Sequence, residues 1–188
     1  MHTTMFDTEE YVHLALHART KGEVHAALHY LHEAQRLEPE NVSVIMLLGW
    51  QHAELGMIDR GIREMERGLK IDPRMEYARF QLGTLLLDRR RHSEASEQFH
   101  RLKGSEDPAL RSYADAMLAL TESDPAAARA KLAVGLAQRQ MNPMLAQSMK
   151  ALFESLAKGS GEAKTAAETP EVADTSPGFL GAYRKTAG

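Results

Sequence analysis

The sequence predicts an all-α repeat protein, and the observation that decides this is an internal period of 34 residues. Small residues recur at this spacing, with the last of them one residue early: Ala27, Gly61, Ala95 and Ala128. Large apolar residues follow four positions after each of these: Leu31, Met65, Phe99 and Leu132. Pro39 and Pro73 are also 34 residues apart. A repeat of this length indicates a structural unit that buries its apolar face against its neighbours.

This pattern resembles the tetratricopeptide repeat over about 135 of the 188 residues. The resemblance implies a right-handed α-solenoid of antiparallel helix pairs, in which small residues let helix A of each repeat approach helix B. Large residues fill the space that remains between the helices. A proline closes each unit, because it cannot continue helix B and restricts the residue before it.

Four repeats are predicted after an N-terminal extension of residues 1–7, with bounds at 8–41, 42–75, 76–108 and 109–142. The fourth repeat departs most from the pattern, because Asp115 falls where a buried leucine is usual in the family. For this reason the helix A of the fourth repeat is open to a shift of one residue in register.

A capping helix is predicted for residues 143–158, with Asn142 as its N-cap and Pro143 in its first turn. Its apolar residues share one helical face: Leu145, Met149, Leu152, Phe153 and Leu156. Such a helix covers the last apolar face of a solenoid. From residue 159 the composition shifts to Gly, Ala, Thr, Glu and Pro, which bury too little apolar area to offset their ordering entropy. We expect 159–188 to form a flexible tail with a terminal FLGAYRK segment.

Composition excludes several classes of function. The chain has no cysteine, which rules out a disulfide framework, thiolate catalysis and cysteine-based zinc or iron–sulfur sites. A net charge of -3 gives no electrostatic argument for binding nucleic acid. The longest apolar run, residues 44–50, is far shorter than the roughly 20 residues that span a bilayer. The sequence begins without a pattern typical of a secretory signal. We therefore expect a cytoplasmic protein that does not insert into membranes.

Neither a catalytic site nor a cofactor site is predicted. The sequence has no glycine-rich phosphate loop, no GxSxG string and no HExxH string. Histidines at helical spacing can chelate a metal, and two such groups occur: His13 and His17, then His25, His29 and His32. The second group falls on the outer face of a helix B in the family's pattern, and no further ligand completes a cage. The basic run at 89–91 lacks interleaved aromatic residues, so it is weak evidence for nucleic-acid binding.

The resemblance also implies where a partner binds. In this family the concave surface lined by the A helices holds a peptide or a helix. The groove positions that carry over to this chain are Val12, Leu16, Met46, Trp50, Tyr77, Phe80, Thr84, Leu87, Tyr113 and Met117. This lining is mostly apolar, with charge at a few places such as Glu9, Arg19 and Glu54. An exposed apolar surface of this size marks an interaction site, but the alternative is that these residues pack as ordinary core.

The chemistry of the groove predicts its partner. The groove lacks the lysine, arginine and asparagine side chains with which chaperone adaptors of this family grip a terminal carboxylate. We therefore expect an amphipathic helix or an apolar segment of another protein, as in the similar cargo grooves of bacterial secretion chaperones. The main hypothesis is a non-catalytic adaptor or chaperone. On this hypothesis Trp50→Asp or Phe80→Asp abolishes partner binding while the helix content is retained.

The tail supports an alternative hypothesis, a self-associating scaffold. Phe179, Leu180 and Tyr183 form an apolar island behind a linker of about 20 residues, which spans on the order of 25 Å as a coil. This tail docking segment has several possible destinations: the chain's own groove, the groove of an identical subunit, or a separate partner. The remaining possibility is that the tail is inert.

Overall fold

The structure, a computed structural model, describes residues 6–162, with side chains as far as residue 158. In this range the chain is all-α and consists of consecutive antiparallel helix pairs, which confirms the predicted fold class. The elements are α1 (Thr8–Thr20), α2 (Val24–Leu37), α3 (Val42–Glu54), α4 (Ile58–Ile71), α5 (Glu76–Asp88), α6 (His92–Arg101), the 3₁₀ helix η1 (Leu102–Gly104), α7 (Pro108–Thr121), α8 (Pro125–Ala137) and α9 (Pro143–Glu162).

The chain divides into an N-terminal unit, residues 1–82, and a C-terminal unit, residues 83–188. In the N-terminal unit α1 packs against α2, and α3 packs against α4. In the C-terminal unit α7 packs against α8, and α9 packs against α8. Within the described range, none of these helices combines the length and the hydropathy needed to cross a bilayer.

Side-chain caps begin most of these helices. Asp7 and Glu10 form a reciprocal capping box at the start of α1, in which each backbone N–H donates to the other residue's carboxylate at 2.8 Å. The carboxylate of Asp107 accepts from the backbone N–H groups of Ala109 and Leu110, and Pro108 occupies the first position of α7. Three more helices, α3, α8 and α9, begin at Asn41, Asp124 and Asn142, whose side chains accept from backbone N–H groups in the first turn.

The turn inside each helix pair has one residue with a positive φ, and this residue recurs with the sequence period. It is Gly22 (φ 72°), Gly56 (φ 80°), Arg90 (φ 57°) and Ser123 (φ 61°). Glycine adopts this left-handed conformation without strain, whereas a residue with a Cβ atom is destabilised in it by about 1–2 kcal/mol. The first two turns therefore have the residue that their geometry favours, and the last two do not.

Arg90→Gly is expected to stabilise the protein by about 0.5–1 kcal/mol, because it relieves the left-handed strain at the cost of some backbone entropy in the unfolded chain. Urea denaturation followed by circular dichroism measures this change. Arg90→Ala is the matched control, since it removes the same charge but keeps the Cβ atom. An equal gain in both variants would show that the arginine side chain, and not the backbone conformation, is responsible.

The small residues of the repeat allow close helix packing, as the α3–α4 contact shows. A Cβ atom added to Gly61 would lie 2.6 Å from the carbonyl oxygen of Gly49 and 3.0 Å from the Cβ atom of Ala53. The backbones of α3 and α4 therefore touch at this point. Between α1, α2 and α3 the core is continuous, and its buried residues are Ala15, Leu31, Ala34, Val44 and Leu48.

Helix α9 covers α8 in the C-terminal unit. Leu145 and Met149 are buried, and the half-buried ring of Phe153 lies under the guanidinium group of Arg129, whose Cζ atom is 4.8 Å from the ring centroid. The helix continues to Glu162, four residues beyond the predicted end at 158. Residues 1–5 and 163–188 lie outside the described residues, and so does the predicted docking segment with Phe179, Leu180 and Tyr183.

Candidate functional site

The ten residues assigned to the groove differ widely in exposure. Five of them are buried in the structure: Met46, Phe80, Thr84, Tyr113 and Met117. Val12, Trp50, Tyr77 and Leu87 are half-buried, and Leu16 is exposed. A partner cannot contact a buried side chain without a change in packing, so burial favours the alternative of ordinary core for the first five. The binding role of the other five stays a prediction.

Met46 and Tyr113 are buried because each packs over a glycine that lies 22 residues later in the chain. A Cβ atom on Gly68 would lie 2.5 Å from Cε of Met46, and one on Gly135 would lie 2.6 Å from Cδ1 of Tyr113. The large side chain of helix A thus occupies the space that the glycine leaves on helix B of the same pair. This pairing of a large residue with a glycine is the sequence signal that separates these two positions from an open groove.

Tyr113 is also fixed through its hydroxyl group. The hydroxyl donates to Oε1 of Gln140 at 2.7 Å, and Nε2 of Gln140 donates to the backbone oxygens of Gly135 and Gln138 at 2.8 and 2.7 Å. Burial raises the pKa of Tyr113, so its neutral, donating form is favoured. Tyr113 and Gln140 together satisfy the end of α8, which is a structural role.

The fourth repeat contains a polar cavity that the sequence analysis did not anticipate. It has a volume of about 420 Å³ and is lined by Lys103, Pro108, Arg111, Ser112, Asp115 and Gln138. Asp115 is the residue that stands where a buried leucine is usual. Its Oδ2 atom lies 3.9 Å from Nζ of Lys131, and the side chains of Lys131 and Asp115 are 52% and 38% exposed, so this pair contributes little stability.

The N-terminal unit has a surface that combines exposed apolar side chains with a fixed charged pair. Val12, Leu16 and Arg19 follow at helical spacing on one face of α1, and Trp50 and Glu54 do so on α3. The Cζ atom of Arg19 lies 3.9 Å from the centre of the Trp50 ring, so α1 and α3 meet here. We call these five residues the α1/α3 surface.

The charges of the α1/α3 surface are held in place. Nη2 of Arg19 donates to Oε1 of Glu54 at 3.3 Å, and the two side chains are 18% and 31% exposed. Burial raises the pKa of Glu54, while Arg19 acts in the opposite direction. The guanidinium group is thus fixed between an aromatic face and a carboxylate. One face of the Trp50 ring is covered by Arg19, which the sequence analysis could not foresee.

His52 is a buried titratable residue of the N-terminal unit. It lies in α3 and is 1% exposed, and its Nδ1 atom has no hydrogen-bond partner among the described residues, nor does Oε1 of the buried Gln51. Burial lowers the pKa of His52 to about 4, and the positive charges of Arg60 and His32 act in the same direction.

The histidines that the sequence analysis considered as metal ligands are exposed: His13, His17, His25, His29 and His32. In the part of the chain that the structure describes, His, Asp and Glu side chains do not come together in any group of three or more that could hold a metal ion. The ring of His32 lies 6.0 Å from that of His52, which is a ring contact rather than a chelating pair.

Solved structures show what this architecture is similar to. A crystal structure of the MamA protein shares 18% identity with this chain and covers 88% of it and 98% of its own chain, with a TM-score of 0.57. PilW, a widely conserved type IV pilus biogenesis factor, shares 18% identity over 80% of this chain and 78% of its own, with a TM-score of 0.62. A tetratricopeptide repeat protein from Parabacteroides merdae ATCC 43184 shares 15% identity over 98% and 72%, with a TM-score of 0.64. The chain has the tetratricopeptide repeat fold.

The comparison of sequences adds no relative: no protein-family model matches the chain, and no curated protein does. At identities of 15–18% the structural likeness shows the fold alone. In tetratricopeptide repeat terms α1, α3, α5 and α7 are A helices, and α2, α4, α6 and α8 are B helices. The α1/α3 surface therefore lies on two A helices.

Proposed function

We propose that this protein is a non-catalytic interaction module of the cytoplasm, an adaptor or chaperone that binds an apolar or amphipathic peptide or helix of another protein. The binding site on this proposal is on the A helices, and its best-supported part is the α1/α3 surface. The cavity beside Asp115 has a polar lining and suits such a segment less well.

The observation that supports the proposal is the exposure of Leu16 beside a rigid aromatic and charged pair. Leu16 is 39% exposed, and its neighbours on the surface include the half-buried Val12 and Trp50. An apolar side chain of a partner that covers Leu16 removes apolar area from water on both molecules, at about 25 cal/mol per Å². Arg19 and Glu54 are already ordered, so a partner that contacts them loses little further side-chain entropy. In known interfaces a small number of ordered anchors of this kind supply most of the affinity.

Leu16→Asp is expected to remove partner binding while the fold is retained, because Leu16 is exposed and contributes little to the core. The measurement is affinity capture from the source organism's lysate with quantitative mass spectrometry. Ile71→Asp is the matched control: Ile71 is 43% exposed at the end of α4, on a B helix of the same unit. Circular dichroism checks that both variants keep their helix content.

Comparing Leu16→Asp with Ile71→Asp distinguishes binding at the α1/α3 surface from nonspecific binding to an exposed apolar side chain. A protein retained by the wild type and by Ile71→Asp, and lost with Leu16→Asp, would identify the partner and support the α1/α3 surface. Equal retention by all three proteins would contradict the proposed site. Trp50→Asp is a second test at the same surface, although it also removes the stacking partner of Arg19.

A further inference from the structure

We propose that residues 179–185 of one copy of this chain dock on the α1/α3 surface of a second copy, so that the protein associates head to tail with itself. The inference rests on the same surface as the proposed function and names one occupant for it. The docking segment has the sequence FLGAYRK and follows α9 after a linker of sixteen residues, 163–178.

The apolar parts of the segment and of the surface match. Phe179, Leu180 and Tyr183 stand close together in the sequence, whereas Val172 is the one large apolar residue in the linker before them. The α1/α3 surface offers an exposed leucine and two half-buried apolar side chains. An aromatic side chain laid over Leu16 buries area on both partners, and aromatic residues are enriched among the anchors of interfaces.

The charges match as well. On the surface Arg19 is already paired with Glu54, and the exposed Glu9 lies one turn before Val12 on α1. This leaves a net negative charge beside the apolar residues. Arg184 and Lys185 follow Tyr183 directly, so a segment that lays its apolar part on Leu16 carries two positive charges to the same region.

The linker allows the contact between two copies. It has sixteen residues, and a coil of that length spans on the order of 22 Å. The segment of one molecule therefore reaches another molecule without contact between the helical parts of the two. The docking segment and the α1/α3 surface are different parts of the chain, so each copy has one docking segment and one α1/α3 surface. Such heterologous contacts form dimers and then longer chains or rings as the concentration rises.

The first measurement is the mass of the full chain in solution by analytical ultracentrifugation, as a function of concentration. We expect the average mass to rise toward twice the monomer mass and beyond as the concentration increases from micromolar to near-millimolar. Leu16→Asp removes the surface, and the combined change of Phe179, Leu180 and Tyr183 to serine removes the segment. Each of these variants is expected to stay monomeric. Ile71→Asp and Val172→Ser are the matched controls, and both should associate like the wild type.

Mixing the two monomeric variants gives the decisive result. The Leu16→Asp chain still has its segment, and the triple-serine chain still has its surface, so an equimolar mixture is expected to form a complex of twice the monomer mass.

Trp50 is the one tryptophan of the chain, so its emission reports on the surface. A synthetic peptide of residues 177–185 should shift this emission in the triple-serine chain and not in the chain that also contains Leu16→Asp.

Three outcomes would overturn the inference. A wild type that stays monomeric over the whole range, a mixture that does not associate, or association that survives both the surface and the segment variants would each do so. None of them bears on the capture experiment with another protein. If the mixture fails to associate but Leu16→Asp still loses its captured partner, the proposed function stands and the self-docking is wrong.

Discussion

Phe80→Asp is expected to unfold the protein rather than to disable a binding surface. Phe80 is 1% exposed and is among the largest fully buried side chains of the chain. The substitution removes its packing and places a carboxylate in an apolar environment, which together destabilise the fold by about 5 kcal/mol or more. A domain of this size has about 5–15 kcal/mol of stability in total. Loss of the helical circular dichroism signal at room temperature, or a large decrease in the urea midpoint, would show this.

Two further variants make the Phe80 result interpretable. Phe80→Leu keeps an apolar side chain and is expected to lose only about 1–2 kcal/mol. Leu16→Asp introduces the same carboxylate at an exposed position of the same unit and should leave the urea midpoint nearly unchanged. If Phe80→Asp retains full helix content and a native midpoint, Phe80 is accessible in solution. That result would contradict a core role for Phe80, and its predicted role in the groove would then be tested by partner capture with the same variant.

The fold could be predicted from the sequence because every repeat has a small residue at the same place in helix B. A glycine at position 61 is required by the distance to the backbone of Gly49, and Ala27, Ala95 and Ala128 are fully buried at the equivalent place. Because close helix packing imposes the same requirement in all four repeats, the small residues recur with a clear period in the sequence. The positive φ of the turn follows the same period, although only Gly22 and Gly56 reveal it by residue type.

The lining of the groove could be predicted only in part. Its positions were assigned by their place on helix A, but whether a side chain there is open depends on the residue that it meets on helix B. Met46 is buried since Gly68 leaves room for it, and Tyr113 is buried since Gly135 does. Leu16 has no such partner in the sequence and is exposed. The position along the repeat therefore does not by itself determine the exposure of a side chain.

The contact between Arg19 and Trp50 could not be predicted from the sequence, for a different reason. The two residues are 31 positions apart on separate helices, and their stacking depends on the distance between α1 and α3. By the repeat pattern both are groove positions, and the pattern alone predicts an open apolar anchor at Trp50. The structure covers one face of its ring with a cation and pairs that cation with Glu54. Of the two partners expected from the sequence, an amphipathic helix therefore suits this surface better than a purely apolar segment.

His52 shows the limit of residue-type patterns most clearly. Of the nine histidines, the five at helical spacing are the candidate metal ligands by sequence, and these five are exposed. His52 stands alone in the sequence, and it is the one among them that is buried with an unpartnered nitrogen in the described part of the chain. Burial depends on packing from other helices, so neither spacing nor composition could have revealed it.

The free energy of unfolding is expected to fall by about 2–3 kcal/mol as the pH is lowered from 6.5 to 4, because of His52 alone. In the folded chain the pKa of His52 is lowered to about 4, against a usual value of 6.5. Between these two values the unfolded chain binds a proton that the folded chain does not, so acid favours unfolding. The stabilisation is fully present above pH 6.5 and is lost as the pH falls toward 4. A shift of this size corresponds to at most about 3.4 kcal/mol.

Urea denaturation of the wild type, His52→Gln and His29→Gln at a series of pH values isolates this contribution. Carboxylates also titrate in this range, but they are the same in all three proteins, so the difference between the curves belongs to the histidine. His29 is exposed in α2, so His29→Gln is the matched control for the loss of one imidazole side chain. The His52→Gln curve should be flatter by about one proton between pH 6.5 and 4. If its slope equals that of the wild type, the pKa of His52 is the same in the folded and the unfolded chain, and the packing around α3 must open enough to hydrate the imidazolium.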